Sequence, residues 1–124
     1  MSRQALALLV AVLIGTCALY APPAPSTEAT APLYEQAVEI ICKYDWDCGL
    51  MVDIVGRESG YDPTAVNRDC SPVLHPGMYA CWGWFQHILP AGVDGSWLFD
   101  PVANTDLAYA KYLNGGLAHW RATR

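Results

Sequence analysis

The sequence predicts a small, mainly α domain with at most one short hairpin, pinned by two disulfides. Apolar periodicity is helical wherever it is regular, strand-like alternation is weak, and four cysteines remain once an N-terminal leader is set aside. The chain has 124 residues, 53% of them hydrophobic. The part after the leader, about ninety residues, lies near the lower size at which a single core suffices, so covalent staples are expected.

Residues 1–29 read as an export signal and the start of a linker, and residues 30–124 as the folded domain. Arg3 precedes an apolar stretch from Ala5 to about Ala21, and "PPAPSTEATAP" follows, which is the layout of a secretory leader. A secreted or wall-associated location is expected. The apolar stretch is shorter than the roughly 20 residues of a membrane span, and an uncleaved anchor or a lipid on Cys17 of "IGTC" are alternative fates of the same segment. The mature domain is expected to be a monomer that does not insert in a membrane. Net charge is -5 and the seven Lys and Arg residues are scattered singly, so no basic face exists to neutralise a phosphate backbone, and nucleic acid is not an expected partner.

From Leu33 to about Tyr44, the residues Leu33, Ala37, Ile40, Ile41 and Tyr44 recur at helical spacing, with Glu35 and Glu39 on another face. The turn "DWDCG" places Asp47 as the cap of a second helix, whose stripe is Leu50, Met51, Ile54 and Val55 and which ends at Gly60 and Pro63. Asn67 to Ala80 carries no period and reads as a loop. "CWGWFQHILP" reads as a short extended segment entering a brief helix closed by Pro90. In the last element Asp100 caps, Pro101 takes the first helical position, and the pattern runs to Leu113 before "NGG". Cys42, Cys48, Cys70 and Cys81 allow three connectivities. The local pairs Cys42 with Cys48 and Cys70 with Cys81 are favoured, because each closes a short loop between elements. Zinc is the rival use of these cysteines, but no pair shows the spacing of common structural sites.

Glu58 is the residue that asks for an explanation. It follows Met51 by seven, Ile54 by four and Val55 by three residues, so it prolongs the apolar stripe into the last helical turn. Burial beside apolar groups, and the negative end of the helix dipole, both disfavour the charged carboxylate and keep a proton available. A general acid needs such a proton. The plain alternative is a helix-end Glu that pairs with Arg57, Arg68 or a backbone amide.

"ESGYDPTAVN" (58–67), "GWFQ" (83–86) with "ILP" shortly after, and "LFDPVANTDLAYAKYL" (98–113) together resemble the lytic transglycosylase and goose-type lysozyme group of the lysozyme superfamily, most of all its compact secreted versions from actinobacteria and their phages. The resemblance covers most of Leu33 to Trp120. It implies a lysozyme-like α fold with a groove for peptidoglycan glycan, Glu58 as catalytic acid, and Ser59 and Gln86 as groups that hydrogen-bond substrate. Trp84 stands where such proteins carry Leu. The "RDCSPVLHPGMYAC" loop is longer than their usual connection, and their later Tyr-Asn-Ala-Gly segment does not occur.

Trp84, Tyr61 and Tyr112 are further candidates for contact with sugar rings, with Trp82 and Tyr79 beside them, since aromatic faces stack on saccharides as readily as they fill cores. Glycoside cleavage commonly uses a second carboxylate, for which Asp62, Asp94 and Asp100 are the candidates, each with an alternative as a turn or cap residue. A single matched acid favours the transglycosylase route, which needs no metal or cofactor. A hydrolytic muramidase and a non-catalytic wall-binding or virion structural module are the competing functions.

Overall fold

The computed structural model describes residues 27–123. The leader and Cys17 lie outside the described residues. Helix α1 (Thr27–Ile41) begins earlier than the periodicity predicts and stops three residues sooner. It leads through the Cys42–Cys48 disulfide into α2 (Cys48–Ser59). The expected cap is present: the Asp47 carboxylate accepts from the Leu50 N–H at 3.0 Å, satisfying one of the orphan donors of the first turn. At the other end Gly60 adopts a left-handed conformation and donates to the Gly56 carbonyl at 2.9 Å, the usual way to close a helix.

A three-stranded antiparallel sheet follows, in the order β1 (Val66–Asn67), β2 (Tyr79–Trp82), β3 (His87–Pro90). Its register pairs Val66 with Trp82 on one side of β2, and Trp82 with His87 and Tyr79 with Pro90 on the other. The brief helix expected after "GWFQ" is therefore corrected to a strand. Antiparallel pairing gives residues 87–90 backbone partners on β2 that a single helical turn would lack, and Pro90 is tolerated because it ends an edge strand. The long loop between β1 and β2 is tied back by the Cys70–Cys81 disulfide. Both disulfides match the local pairing.

A 3-10 turn (Ser96–Phe99) leads into α3 (Pro101–Gly115), where Asp100 caps by accepting from the Val102 N–H at 2.9 Å and Pro101 starts the helix. A closing 3-10 run (Gly116–Thr123) is kinked at Trp120. The main core joins Ala37 and Ile41 of α1 with Met51, Val52, Ile54 and Val55 of α2, and with Trp84, Phe85, Ala108 and Trp120. Trp120 locks the C-terminal run by donating its indole N–H to the Phe85 carbonyl at 3.2 Å. A second, smaller cluster forms around Ala80, Trp82 and Leu98 under the sheet. The domain is thus small and mainly helical, with one short sheet and two disulfides.

Candidate active site

Glu58 stands in the last turn of α2 and is half-buried. Beyond the Gly60 cap the chain turns sharply, and Tyr61 takes φ +65, a region that side chains with a Cβ seldom occupy. The indole N–H of Trp84 holds it there, donating to the Tyr61 carbonyl at 3.1 Å. The Tyr61 ring meets Tyr34 edge-on at 5.3 Å. Burial, with Tyr34 and Asp53 adding, pushes the Tyr61 phenol above its ordinary value, so the ring stays neutral. Asp62 accepts from both the N–H and the hydroxyl of Thr64, which makes the next three residues a fixed turn.

The turn between β2 and β3 closes onto this segment. Gly83 N–H donates to the Ala65 carbonyl at 2.7 Å, and Gln86 Nε2 donates to the same carbonyl at 3.2 Å and to Gly83 O at 3.0 Å. Gln86 has φ +50. Among the described residues, Tyr61 and Gln86 are the two non-glycine residues with positive φ, and they flank the same junction.

Asn104 of α3, which sequence reasoning missed, holds the other side of this turn. It is fully buried. Its Oδ1 accepts from the Phe85 N–H at 3.0 Å, and its Nδ2 donates to Leu98 O at 3.0 Å and Trp82 O at 3.2 Å. Gly83 is required here for two reasons: its φ is +72, and a Cβ would collide with the Asn104 amide and the Leu98 carbonyl. The one signal in the sequence was an Asn inside a helix on the same face as Ala108, four residues on, where Asn is a poor helix former unless bonded elsewhere.

His87 extends the arrangement. Its Nε2 lies 2.8 Å from Asn104 O and its Nδ1 lies 2.9 Å from Lys111 Nζ. A carbonyl only accepts and an ammonium only donates, so the proton sits on Nε2 and Nδ1 is the acceptor. Burial, then the Lys111 charge, lowers the His87 pKa to about 4, and burial lowers that of Lys111.

The remaining expected residues are placed as follows. The Ser59 hydroxyl donates to the Val55 carbonyl at 2.9 Å within its own helix. Trp84 is fully buried, which corrects its expected contact with sugar: the larger ring fills the core and fixes Tyr61. Tyr112 belongs to an aromatic group with Trp46 and Tyr109, at centroid distances of 5.6 and 6.2 Å. In that group the Tyr44 hydroxyl donates to Asp106, and burial, followed by Asp106, pushes its pKa up to about 12. Asp94 and Asp100 each accept from a backbone N–H two residues on.

An open pocket of about 440 Å³ lies on the sheet, lined by Arg68, Trp82, Asp94, Ser96 and Phe99 among others. Glu58 is not among its lining residues. Among the described residues no group of three or more His, Cys, Asp or Glu side chains is placed to hold a metal, and no helix is long and apolar enough to cross a membrane. Comparison of the chain with known protein families, with characterised proteins and with solved structures returns no match.

Proposed function

We propose that the protein cleaves peptidoglycan glycan strands between N-acetylmuramic acid and N-acetylglucosamine, with Glu58 as general acid and then base. One observation carries this reading. Both strained non-glycine residues, Tyr61 and Gln86, sit at the junction that follows the Glu58 helix turn, and backbone strain of this kind, which persists only where the surrounding structure over-determines it, clusters at active sites. The three segments that resemble lytic transglycosylases are the same three that bond to one another there, through Trp84 to Tyr61, Gly83 and Gln86 to Ala65, and Asn104 to Phe85.

In this scheme the protonated Glu58 gives its proton to the glycosidic oxygen as the bond from that oxygen to the anomeric carbon breaks. The 6-hydroxyl of the same N-acetylmuramic acid then attacks that carbon and returns its proton to the Glu58 carboxylate, leaving a 1,6-anhydro end. The nucleophile is already tethered to the sugar it attacks, so no second body has to be positioned. The single-acid route is favoured over hydrolysis because Asp62, Asp94 and Asp100 each already hold a local turn or cap. Digestion of purified peptidoglycan tests the reading by its end groups. Release of 1,6-anhydro products supports it, reducing ends point to a muramidase, and binding without release points to a non-catalytic wall-binding module.

A further inference from the structure

The pocket on the sheet is not lined by Glu58, Tyr61 or Gln86 and has a construction of its own. Its back wall is the Trp82 indole, packed against Phe99 at 5.6 Å between ring centroids. The loop that rims it presses so closely on Trp82 that Gly95 has no room for a side chain: a Cβ there would fall on the indole ring. Val93, Asp94 and Ser96 are carried to the pocket edge by this approach.

Two charges of opposite sign, Arg68 and Asp94, line that edge without a salt bridge between them among the described residues. The Arg68 guanidinium lies over the Trp82 ring at 5.2 Å, a cation–π contact that places its charge at the pocket. Among the described residues Arg68 makes no ion pair. Asp94 is anchored by the Ser96 N–H at 2.9 Å. That bond first, and the Arg68 charge in the same direction, hold its carboxyl below the ordinary range, so it is an anion at neutral pH. The Trp82 indole N–H, buried behind this wall, has no acceptor among the described residues, and native folds seldom leave such a donor unanswered.

A cation and an anion held apart on an apolar floor are complementary to a dipolar ligand. A carboxylate matches the planar fork of Arg68, an ammonium matches Asp94, and an aliphatic body matches the rings and Val93 between them. The pocket is open, and its volume of about 440 Å³ lies in the size range of small-molecule sites. We infer that this pocket binds a free amino acid or short peptide bearing both a carboxylate and an ammonium, the former on Arg68 and the latter on Asp94. This inference does not depend on the glycan-cleaving reading.

The test is a titration of the ¹⁵N-labelled full chain with alanyl-alanine, followed by the Trp82 indole and the Arg68 and Asp94 amide signals. Saturable shifts confined to these residues are expected. N-acetylation or C-amidation of the dipeptide should each weaken binding at least about tenfold, as should Arg68→Gln and Asp94→Asn. Both substituted residues are exposed, and a dispersed spectrum reports that the variants fold. Glu58→Gln should bind as the unaltered chain does, which separates failure here from failure of the proposed chemistry. Absence of saturable shifts with the folded chain, equal binding of the blocked dipeptides, or unchanged binding by Arg68→Gln would overturn the inference.

Discussion

The junction around Tyr61, Gly83 and Asn104 and the loop between Cys70 and Cys81 are built on opposite principles. At the junction three chain segments share carbonyls and amides, buried side chains fill the space, and two residues are held at positive φ. In the loop Val73 and Leu74 are 91% and 78% exposed. Its order comes from a disulfide, a His75 N–H to Ser71 carbonyl bond of 2.8 Å and a Gly77 N–H to Asp69 bond of 3.1 Å. Noncovalent precision is concentrated where the segment following Glu58 meets the β2–β3 turn, and a covalent staple substitutes for buried surface where the chain is elaborated.

The sharpest way to break this contrast is Asn104→Ala. It leaves the Phe85 N–H and the Trp82 and Leu98 carbonyls without their buried partner. At about 1 to 3 kcal/mol for each of these three groups, a loss of at least about 3 kcal/mol is expected. Urea denaturation followed by tryptophan fluorescence measures it, and a loss under about 1 kcal/mol would show that the junction does not rest on Asn104.

Acid should loosen the same region. The His87 pKa in the folded chain is about 4, against an ordinary 6.5. The unfolded chain therefore takes up the proton first as pH falls. The stability that neutral His87 contributes is complete above about pH 6.5 and is lost progressively down to about pH 4, for a total on the order of 3 kcal/mol. Melting temperature against pH should fall across that window in the native sequence. The slope should be flatter in His87→Gln, whatever that variant's stability at neutral pH.

Smaller effects are expected in the loop. Replacing Cys70 and Cys81 together by Ala removes a closure spanning a sequence separation of 11, for which about 2 to 3 kcal/mol is expected. The junction should keep its amide-exchange protection relative to the rest of the variant. The least effect belongs to Val73→Ser with Leu74→Ser, within about 0.5 kcal/mol, because neither side chain is buried. A larger loss in thermal melts would mean that the loop packs on something in solution.

The same contrast explains what was legible in the sequence. The Asp47 and Asp100 caps, the Pro101 start and both cysteine pairs could be read because each depends on residues close in the chain. The placement of Glu58 at the end of an apolar stripe was legible for the same reason. The sequence allows for a short hairpin, but the place and register of β2–β3 were not legible, since they depend on the Gly83 turn being held from outside by Ala65 and Asn104. Whether Trp84 stacks on sugar or fills the core is not legible, because an aromatic side chain states its size but not its direction. Asn104 lay within a recognised segment, yet its three partners come from Phe85, Trp82 and Leu98, and no helical period reveals them.

The central claim is that a proton on Glu58 does the cutting. The direct measurement is the initial rate of soluble fragment release from purified peptidoglycan by the native protein and by Glu58→Gln, which keeps size and hydrogen bonding and removes the titrating group. With both proteins shown to be equally folded, the account predicts a loss on the order of 10² to 10⁴-fold. Equal rates of release by the two proteins would contradict it.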